Sequence, residues 1–447
     1  MDRNELLSIL KQSDDQRIKI AVVDIDGVLR GKILRKDKFL NVLESSSGFC
    51  DVIFGWDVVD VAYDNAKVTG WHTGYPDTNY TIDINTFRKI PWDENIPFFL
   101  GDFSQTNHPA CPRSLLKKVI NKAEKMGLSP IFAEEFEWFN FDETPDSLHD
   151  KGGVNPKPLT PGMFGYSVLR SSQKSDYFND LFTLLEEYRI PLEGLHTETG
   201  PGVYEAAIQY TDVLEAADRA VLFKAAVKEI ASKHGVMASF MAKWNAELPG
   251  CSGHIHQSLW KDGQNLFTDN KDEYKMSPIF KSYIAGQLHA LPEILPMFAP
   301  TINSFKRLVE GAWAPTTLTW GLDNRTTALR VLASNGSSTR LETRVPGSDV
   351  NPYLAMAAAL AAGLYGIEKN LELSIKPTVG NGYEDKSNGS LPPDLKSATD
   401  KMKSSSLAKS LFGDDFVDHF CRTREWEHRQ FAASVTDWEI KRYFEII

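Results

Sequence analysis

Short runs of apolar residues, broken by polar turns, occupy the first hundred residues and predict β-strands. Residues 18–34 read IKIAVVDIDGVLRGKIL, two β-prone runs joined at Asp26-Gly27, a dipeptide that favours a hairpin turn. Similar runs continue to IPFFLGDF at residues 96–103, and HPACPRS at 108–114 then interrupts the pattern. We therefore predict a small N-terminal domain, residues 1–107, followed by a larger domain, residues 108–447.

Beyond that break the apolar spacing changes to that of helices mixed with strands. PRSLLKKVINKAEKMG predicts a helix that ends at Gly127, and Thr211 is the expected N-cap of a helix running to Gly235. A third helix is predicted over Pro352–Asn370, and the polar, Gly-, Ser- and Pro-rich residues 376–406 are predicted to form an exposed loop. Because strands and helices do not alternate regularly, the predicted fold class is α+β.

The segment IFAEEFEWFNFD, residues 131–142, places acidic residues inside an aromatic-rich strand. Side chains alternate between the faces of a strand, so Glu135 and Glu137 share one face and the aromatic residues take the other. Two carboxylates about 7 Å apart resist desolvation unless cations share them, and their oxygens suit Mg²⁺ or Mn²⁺. An exposed polar strand face is the alternative interpretation, and Glu134 is expected to be solvated.

More acids and histidines recur in similar settings. Glu198 and Glu205 flank a Gly-Pro-Gly turn in HTETGPGVYE, so both can face one site. His254 and His256 share one strand face in GCSGHIHQSLW, after a flexible Gly/Ser approach. A histidine is often structural, so these residues indicate a metal site only when they are taken together.

Arginines accompany these acids. Glu342 lies between Arg340 and Arg344 in STRLETRVPG, and all three share a strand face. Three further guanidinium groups are those of Arg307, Arg325 and Arg330. Surface ion pairs are the alternative, but guanidinium groups also hold phosphate and carboxylate. The set as a whole indicates a metal–nucleotide site that handles anions.

Bulk composition narrows the choice of partners. The 447 residues carry a net charge of −11 and are 42% hydrophobic, which is typical of a soluble globular protein and argues against nucleic acid or a membrane as partner. The longest apolar run, PYLAMAAALAAGLYGI, is shorter than the roughly 20 residues that span a bilayer. Four well-separated cysteines indicate neither a zinc site nor a disulfide framework, so a cytoplasmic location is expected.

Six spaced segments resemble the glutamine synthetase family, type I branch, closest in character to its γ-glutamyl-amine ligases. In order they are EEFEWF, HTETGPGVYE, SGHIHQSL, KRLV, NRTTALR and RLETRVPGSDVNPYLAMAAAL. The resemblance implies a small β-grasp-like N-terminal domain and a large catalytic domain with a curved antiparallel sheet flanked by helices. It further implies a ligase that uses ATP and two or three Mg²⁺ (or Mn²⁺) ions to form γ-glutamyl phosphate. The subunits would form double-ringed homo-oligomers, often dodecamers, whose active sites are completed by a neighbour's N-terminal domain.

The resemblance also assigns roles to individual residues. One metal ion would lie on Glu137, Glu198 and Glu205. A second would lie on Glu135, His254 and Glu342. The glutamate substrate would contact Gly250, Arg307 and Arg344. ATP would contact Tyr210, His256, Ser258, Arg330 and Arg340, together with Trp71 from a neighbouring subunit. Arg325 would act on the phosphates, and Asp64, in YDNAKVTGW, would take a proton from the incoming nitrogen nucleophile.

The chain departs from the family pattern at two positions, one of which bears on the substrate and the other on regulation of the enzyme. Trp313, in VEGAWAP, aligns with a glutamate that binds ammonium in relatives that use ammonia, and an indole cannot take a proton. Glu310 could substitute for that glutamate. Gly389, in SNGSLPPD, stands where some relatives carry an adenylylated tyrosine, so that modification is predicted to be absent.

Three functional hypotheses follow from these residues. The first is a γ-glutamyl-amine ligase in which Trp313 borders the pocket for an organic amine. The second is an ammonia-dependent glutamine synthetase with a rearranged ammonium site. The third is a non-catalytic relative with a structural role, which the retention of six clustered metal ligands and Asp64 disfavours.

Overall fold

The computed structural model describes residues 3–44, 47–334 and 336–447. The N-terminal helices and strands are α1 (Arg3–Gln12), β1 (Arg17–Val23), β2 (Leu29–Arg35), α2 (Lys36–Glu44), β3 (Ser47–Cys50), β4 (Asp77–Ile82), β5 (Arg88–Ile90) and β6 (Ile96–Asp102). They form a six-stranded sheet of order β2-β1-β6-β4-β3, with β5 on β6. Strands β1 and β6 run parallel and the other pairs are antiparallel.

The predicted hairpin at Asp26-Gly27 is confirmed. Strands β1 and β2 pair from Arg17 opposite Arg35 to Val23 opposite Leu29. Gly27 has φ of 83°, a conformation that glycine adopts without strain. The turn is tied to distant parts of the chain, because Arg424 donates to Asp26 Oδ1 at 2.5 Å.

The small sheet has two buried faces. Ile18, Ile20 and Val22 point into a core shared with the N-terminal helices, whereas Ala21 and Val23 belong to the main core of the molecule. Alternate side chains of β1 are therefore buried in two different hydrophobic cores. The small sheet is joined to the rest of the chain through continuous apolar contacts.

A larger sheet carries most of the predicted site. Its strands are β7 (Ser129–Phe141), β8 (Leu192–Thr197), β9 (Val203–Ile208), β10 (Thr211–Asp212), β11 (Met237–Ser239), β12 (Gly253–Lys261), β13 (Gln264–Asn265), β14 (Trp320–Leu322), β15 (Leu329–Leu332) and β16 (Arg340–Thr343). The order is β14-β15-β16-β12-β7-β9-β8, with β10 and β11 on β7 and β13 on β12. Only β14 and β15 pair in parallel among these strands. The predicted α+β fold, with a curled and mainly antiparallel sheet, is confirmed.

Helices cover the sheet and continue to the C-terminal region. They are α3 (Pro112–Lys125), α4 (Pro145–Asp150), α5 (Val168–Gln173), α6 (Ser175–Glu187), α7 (Val213–Lys233), α8 (Pro278–Ile294), α9 (Ser304–Arg307), α10 (Pro352–Glu368), α11 (Leu395–Ser404), α12 (Ser406–Phe412), α13 (Asp414–Ala433) and α14 (Asp437–Tyr443). Helices α8 and α10 approach closely at Gly286 and Gly366, where a Cβ on Gly366 would lie 2.0 Å from the Ser282 carbonyl oxygen. Across the residues that the structure describes, no helix is long and apolar enough to cross a membrane.

Two local predictions are wrong. Asp212, rather than Thr211, caps α7 by accepting a hydrogen bond from the Glu215 N–H at 3.1 Å, because the short strand β10 includes both residues and the helix begins only at Val213. Residues 376–406 are not simply an exposed loop, because they include α11, whose Leu395 and Met402 are buried. The polar composition hid this amphipathic helix.

The two sheets span residues 17–102 and 129–343, on either side of the proposed boundary at residue 107. The division into two domains stays a prediction, since Ala21 and Val23 share the main core with residues of the large sheet.

Candidate active site

Strand register brings the acidic residues together on one face of the large sheet. Glu137 on β7 lies opposite Glu205 on β9, and Glu205 lies opposite His196 on β8. On the other side of β7, Glu135 lies opposite His254 of β12. Residues far apart in sequence are thus neighbours because antiparallel strands set them side by side.

A first cluster consists of Glu135, His254 and Glu342. The His254 Nδ1 atom is 3.1 Å from Glu135 Oε1 and 3.4 Å from Glu342 Oε1. Burial, helped by the charge of Arg344, lowers the pKa of His254 to about 4, so its imidazole is neutral at neutral pH. A neutral imidazole between two carboxylates is a donor set that fits a divalent cation.

A second cluster consists of His196, Glu198 and Glu205, whose ligand atoms lie within 4.8 Å of one another. His196 Nε2 is 3.0 Å from Glu205 Oε1, and its Nδ1 is 3.9 Å from Glu198 Oε2. Burial would lower the pKa of His196, but the hydrogen bond and charge of Glu205 raise it to about 9. Sequence reasoning missed His196, although it lies two residues before Glu198 on the same strand face.

Glu137 adjoins this second cluster. Its carboxylate accepts a hydrogen bond from the Ser252 N–H at 2.9 Å. Burial and the neighbouring charge of Glu205 raise the pKa of Glu137 to about 8. Crowded, desolvated carboxylates of this kind are stabilised by a cation, so these residues also fit Mg²⁺ or Mn²⁺.

Glu342 is held between arginines. It accepts a hydrogen bond from Arg330 Nη1 at 2.9 Å and another from Arg344 Nη1. Although burial opposes it, the charges of Arg344 and Arg330, joined at low pH by those of the protonated His254 and His256, lower the pKa of Glu342 to about 2. The Glu342 carboxylate is therefore ionised across the physiological range.

The residues predicted to hold glutamate also lie together. Arg307 is buried and donates to the Val345 carbonyl and to Ser252 Oγ, each at 2.9 Å. Its Nη2 also reaches the Arg344 carbonyl oxygen at 3.3 Å. A Cβ on Gly250 would lie 2.9 Å from Arg307 Cγ and 2.5 Å from the Ala242 carbonyl oxygen, so only glycine fits there.

A cavity of about 290 Å³ opens beside the first cluster. The predicted nucleotide residues along its wall are Tyr210, His256, Ser258 and Arg340, and Glu135 lies at the same cavity. Arg340 Nε donates to His256 Nδ1 at 3.2 Å. The cavity thus joins a possible nucleotide pocket to a cluster able to hold a cation.

Other predicted residues are not gathered at the sheet. Asp64 pairs with Arg429, whose Nη1 donates to its Oδ2 at 2.9 Å, and Trp71 is 77% exposed beside Tyr75. Arg325 is exposed, although its carbonyl oxygen accepts a hydrogen bond from Arg344 Nε at 3.0 Å. Trp313 is 57% exposed and has φ of 56°, a left-handed conformation that is uncommon for a large side chain.

The expectation that Glu134 is solvated is wrong. Glu134 is buried with both carboxylate oxygens lacking a hydrogen-bond partner among the described residues. Burial raises its pKa to about 8, opposed by the charge of Lys224. Glu134 has the same strand parity as Phe136, so its side chain lies on the core face of β7, opposite to that of Glu135.

Tyr166 is a further site residue that sequence reasoning missed. Its ring stacks on His196 with centroids 4.5 Å apart. Burial raises the pKa of Tyr166, as do the charges of Glu198 and Glu205, so the phenol lies close to the second cluster. No periodicity marks Tyr166, because it follows an irregular Gly/Pro-containing loop.

Comparison with known proteins agrees with this geometry. A family model described as glutamine synthetase, catalytic domain, matches residues 109–443. The chain is 55% identical over 450 residues to type-1 glutamine synthetase 2 of Dictyostelium discoideum, covering 99% of this chain and 86% of that protein. It is 37% identical over 437 residues to glutamate–isopropylamine ligase of Pseudomonas sp, covering 96% and 95% of the two chains. A solved structure described as a GmaS/ADP complex superposes with a TM-score of 0.85 at 26% identity, covering 98% and 99% of the two chains.

The fold and the site define an ATP-dependent carbon–nitrogen ligase. The chain belongs to the glutamine synthetase family. Members of this family act on glutamate, ATP and either ammonia or an amine, and they use divalent metal ions.

Proposed function

We propose that this protein joins the γ-carboxylate of glutamate to an organic amine, giving a γ-glutamyl amide. The observation that carries this proposal is the tryptophan at position 313: by the resemblance of VEGAWAP to the family's loop, it stands where ammonia-using members carry an ammonium-binding glutamate. An indole offers an amine an apolar wall and a π face but no carboxylate. The high identity to a protein named type-1 glutamine synthetase keeps ammonia as the second candidate acceptor.

The surroundings of Trp313 support the organic amine. Glu310, the nearest acid in the same loop, forms an ion pair with Lys386 at 2.8 Å, and both side chains are more than half exposed. Its carboxylate is therefore engaged at the surface. No observation in this loop favours Glu310 as a replacement for the missing ammonium ligand.

The clustered acids and histidines would hold the metal ions. We assign one ion to Glu137, Glu198 and Glu205, with His196 beside them, and a second to Glu135, His254 and Glu342. Mg²⁺ or Mn²⁺ bound there would neutralise the charge of the ATP phosphates during transfer. The adjoining cavity would hold the nucleotide through Tyr210, His256, Ser258 and Arg340, and Trp71 of a neighbouring subunit would approach the same nucleotide.

The first half-reaction makes an activated acyl group. Arg307 and Arg344, beside Gly250, would hold glutamate so that an oxygen of its γ-carboxylate attacks the γ-phosphorus of ATP. The bond to the ADP oxygen breaks, giving γ-glutamyl phosphate and ADP. Arg325 and Arg330 would stabilise the negative charge on the transferring phosphoryl group.

The second half-reaction forms the amide. The amine nitrogen attacks the γ-carbonyl carbon, and the carbon–oxygen bond to phosphate breaks to release inorganic phosphate. An ammonium nitrogen must first lose a proton, and Asp64 is assigned this role. Because Asp64 and Trp71 are not gathered at the site of their own chain, we assign them to a neighbour's site in a homo-oligomer.

Exposed apolar residues support a homo-oligomer. Trp438 is 60% exposed, Phe444 86% and Ile446 87%, all near one end of the chain. Apolar groups exposed together in this way indicate a surface that another chain covers. A double ring of subunits would do so.

An amine panel tests the proposed acceptor. Phosphate release is measured with ATP, glutamate and Mg²⁺ in the presence of ammonia or of alkyl, aryl and hydroxyalkyl amines and polyamines. We expect at least one organic amine to exceed ammonia in kcat/KM by about tenfold or more. Efficient use of ammonia with no turnover of any organic amine would refute the proposal.

The Trp313→Glu variant tests the residue that carries the proposal. A carboxylate at this position restores an ammonium ligand, so the ratio of kcat/KM for ammonia over that for the preferred amine should rise about tenfold, the worth of one charge-assisted hydrogen bond. Trp313→Phe is the matched control, because it keeps an apolar aromatic ring and should leave that ratio within about threefold. An unchanged ratio in Trp313→Glu would remove Trp313 from the acceptor pocket.

A further inference from the structure

Residues 378–391, here called the clasp segment, lie against the loop that follows Trp313. Leu391 N–H donates to the Thr316 carbonyl at 2.9 Å, and Leu318 N–H donates to the Gly389 carbonyl at 3.0 Å. Thr317 Oγ1, which is buried, donates to the Gly382 carbonyl at 2.8 Å. The clasp segment is thus fastened along its length to the chain between Trp313 and Arg325.

The backbone immediately before Tyr383 is held especially closely. Asn324 Nδ2 donates to the Gly380 carbonyl at 2.8 Å, and the Gly382 N–H donates to Thr326 Oγ1 at 2.8 Å. A Cβ on Gly382 would lie 2.6 Å from the Thr326 carbonyl oxygen. A side chain that follows so constrained a backbone has little freedom in where it can point.

Tyr383 points inward from the clasp segment. The residue is 8% exposed, and its buried hydroxyl has no completed hydrogen bond among the described residues. Burial raises the pKa of Tyr383, opposed by the charges of Arg344 and Arg307 and by the backbone N–H of Trp313, which faces the phenol oxygen without reaching full hydrogen-bond geometry. The hydroxyl is therefore near enough to Arg344, Arg307 and the Trp313 backbone to be influenced by all three, and it is uncharged at neutral pH.

A buried hydroxyl that lacks a full hydrogen bond is unfavourable, which favours a partner that arrives with the substrates. Two partners are conceivable at this position, a glutamate carboxylate or the nitrogen of the acceptor. The arginines already supply cationic donors for a carboxylate. An amine near two guanidinium groups instead needs an acceptor oxygen, which a phenol provides.

We propose that Tyr383 determines acceptor specificity by accepting a hydrogen bond from the N–H of the incoming amine, beside the wall formed by Trp313. This inference rests on the proposed reaction, in which a nitrogen nucleophile enters between the Trp313 loop and the glutamate site. A neutral phenol cannot remove the amine proton at neutral pH. Tyr383 therefore orients the nucleophile, and another group takes the proton.

The Tyr383→Phe variant removes only the hydroxyl. We expect the KM for the preferred acceptor to rise about tenfold, the worth of one hydrogen bond, while the KM values for glutamate and ATP stay within about twofold. The melting temperature should change little, because among the described residues the hydroxyl makes no full hydrogen bond, only the contact with the Trp313 N–H. Tyr365→Phe is the matched control, since Tyr365 stacks on His289 at 5.8 Å on helix α10, and all its kinetic constants should be unchanged.

Several outcomes would overturn the assignment. A rise in the KM for glutamate, with that for the amine unchanged, would give the hydroxyl to the glutamate carboxylate. Unchanged constants for all three substrates would remove Tyr383 from the reaction. If the wild type uses only ammonia, the organic-amine proposal fails, but the KM for ammonia in Tyr383→Phe still tests Tyr383. If no nitrogen acceptor supports phosphate release, both proposals fail.

Discussion

The carboxylates of the large sheet differ in the charges that surround them, and this difference determines which of them need a bound cation. Glu205 is paired with His196 and crowded by other acids, whereas Glu342 is neutralised by arginines. The Glu205→Gln variant should lose most of its affinity for Mn²⁺ at one site and on the order of 100-fold in kcat/KM, because a bound metal ion supplies several kcal/mol of charge stabilisation. Mn²⁺ binding followed by electron paramagnetic resonance checks the first effect and phosphate release the second.

The exposed Glu187 on helix α6 offers a control for Glu205. Glu187→Gln removes the same charge from the whole protein while leaving the sheet intact. Its Mn²⁺ stoichiometry and kinetics should match those of the wild type. Equal Mn²⁺ binding by both variants would contradict the assignment of Glu205 as a metal ligand.

For individual residues, the alternation of side chains along a strand predicted which face each glutamate of β7 occupies better than the polarity of the residue did. It placed Glu135 and Glu137 on one face, and the structure puts both there. The same parity puts Glu134 with the aromatic core, but its half-buried neighbour Lys224 comes from α7, and no local pattern reveals a contact between distant segments. The sequence did not indicate Tyr383 for a similar reason. Its proposed role depends on the hydrogen bonds by which Asn324 and Thr326 hold the irregular backbone at Gly380 and Gly382.

Among the helices, the close contact between α8 and α10 leads to a prediction about stability. The Gly366→Ala variant should lower the free energy of unfolding by about 1–3 kcal/mol, although alanine ordinarily favours a helix, because its Cβ would meet backbone atoms that cannot move aside. Urea unfolding followed by circular dichroism measures the change. Gly194→Ala, where a Cβ would meet no atom within 4 Å, should change stability by less than about 0.5 kcal/mol.

If the two glycine variants proved equally stable, the close packing of α8 on α10 would be wrong. At this scale the sequence predicted α10 and the end of α3 well, because apolar spacing and terminal glycines are local signals. The start of α7 was misplaced by one residue and α11 was overlooked. Both errors arose where a short strand pair or a buried face, set by tertiary contacts, decided the outcome.

For the molecule as a whole, a buried histidine predicts how stability depends on pH. His419 on α13 is fully buried, and burial, with the charge of His108, lowers its pKa to about 4 from an ordinary value of 6.5. Between pH 6.5 and 4 the unfolded chain binds a proton that the folded chain does not. Stability should therefore fall as the pH decreases across that window, by about 1.4 kcal/mol per pH unit from this residue.

Urea unfolding between pH 4.5 and 7 tests this dependence with the His419→Leu variant. The free energy of unfolding of this variant should depend less steeply on pH than that of the wild type, by about 1.4 kcal/mol per pH unit, which corresponds to one proton. The exposed His149 is the control, and His149→Leu should keep the wild-type slope. A wild-type slope in His419→Leu would show that His419 is not the group responsible.

The fold class could be predicted from the sequence because strand-like and helix-like apolar spacings are local signals. The site motifs could be recognised because each one carries several polar residues at a fixed spacing. The pairing of β12 with β7, which brings Glu135 beside His254, could not be predicted from local patterns, because strand order depends on contacts between segments more than a hundred residues apart. Only the family resemblance placed Glu135 and His254 at one metal ion. The same limit applies to Asp64 and Trp71, which we propose to act at the active site of another chain.

Strand β1 contributes one row of side chains to a core of the small sheet and the other row to the main core. The face that carries Ala21 and Val23 cannot be exposed without opening apolar contacts of the main core, to which the large sheet also belongs. The two sheets should consequently melt as one cooperative unit rather than as separate modules. Rigid rotation of one sheet against the other is equally costly, so any opening and closing around the substrates falls to the loops, above all to the chain that carries Trp313.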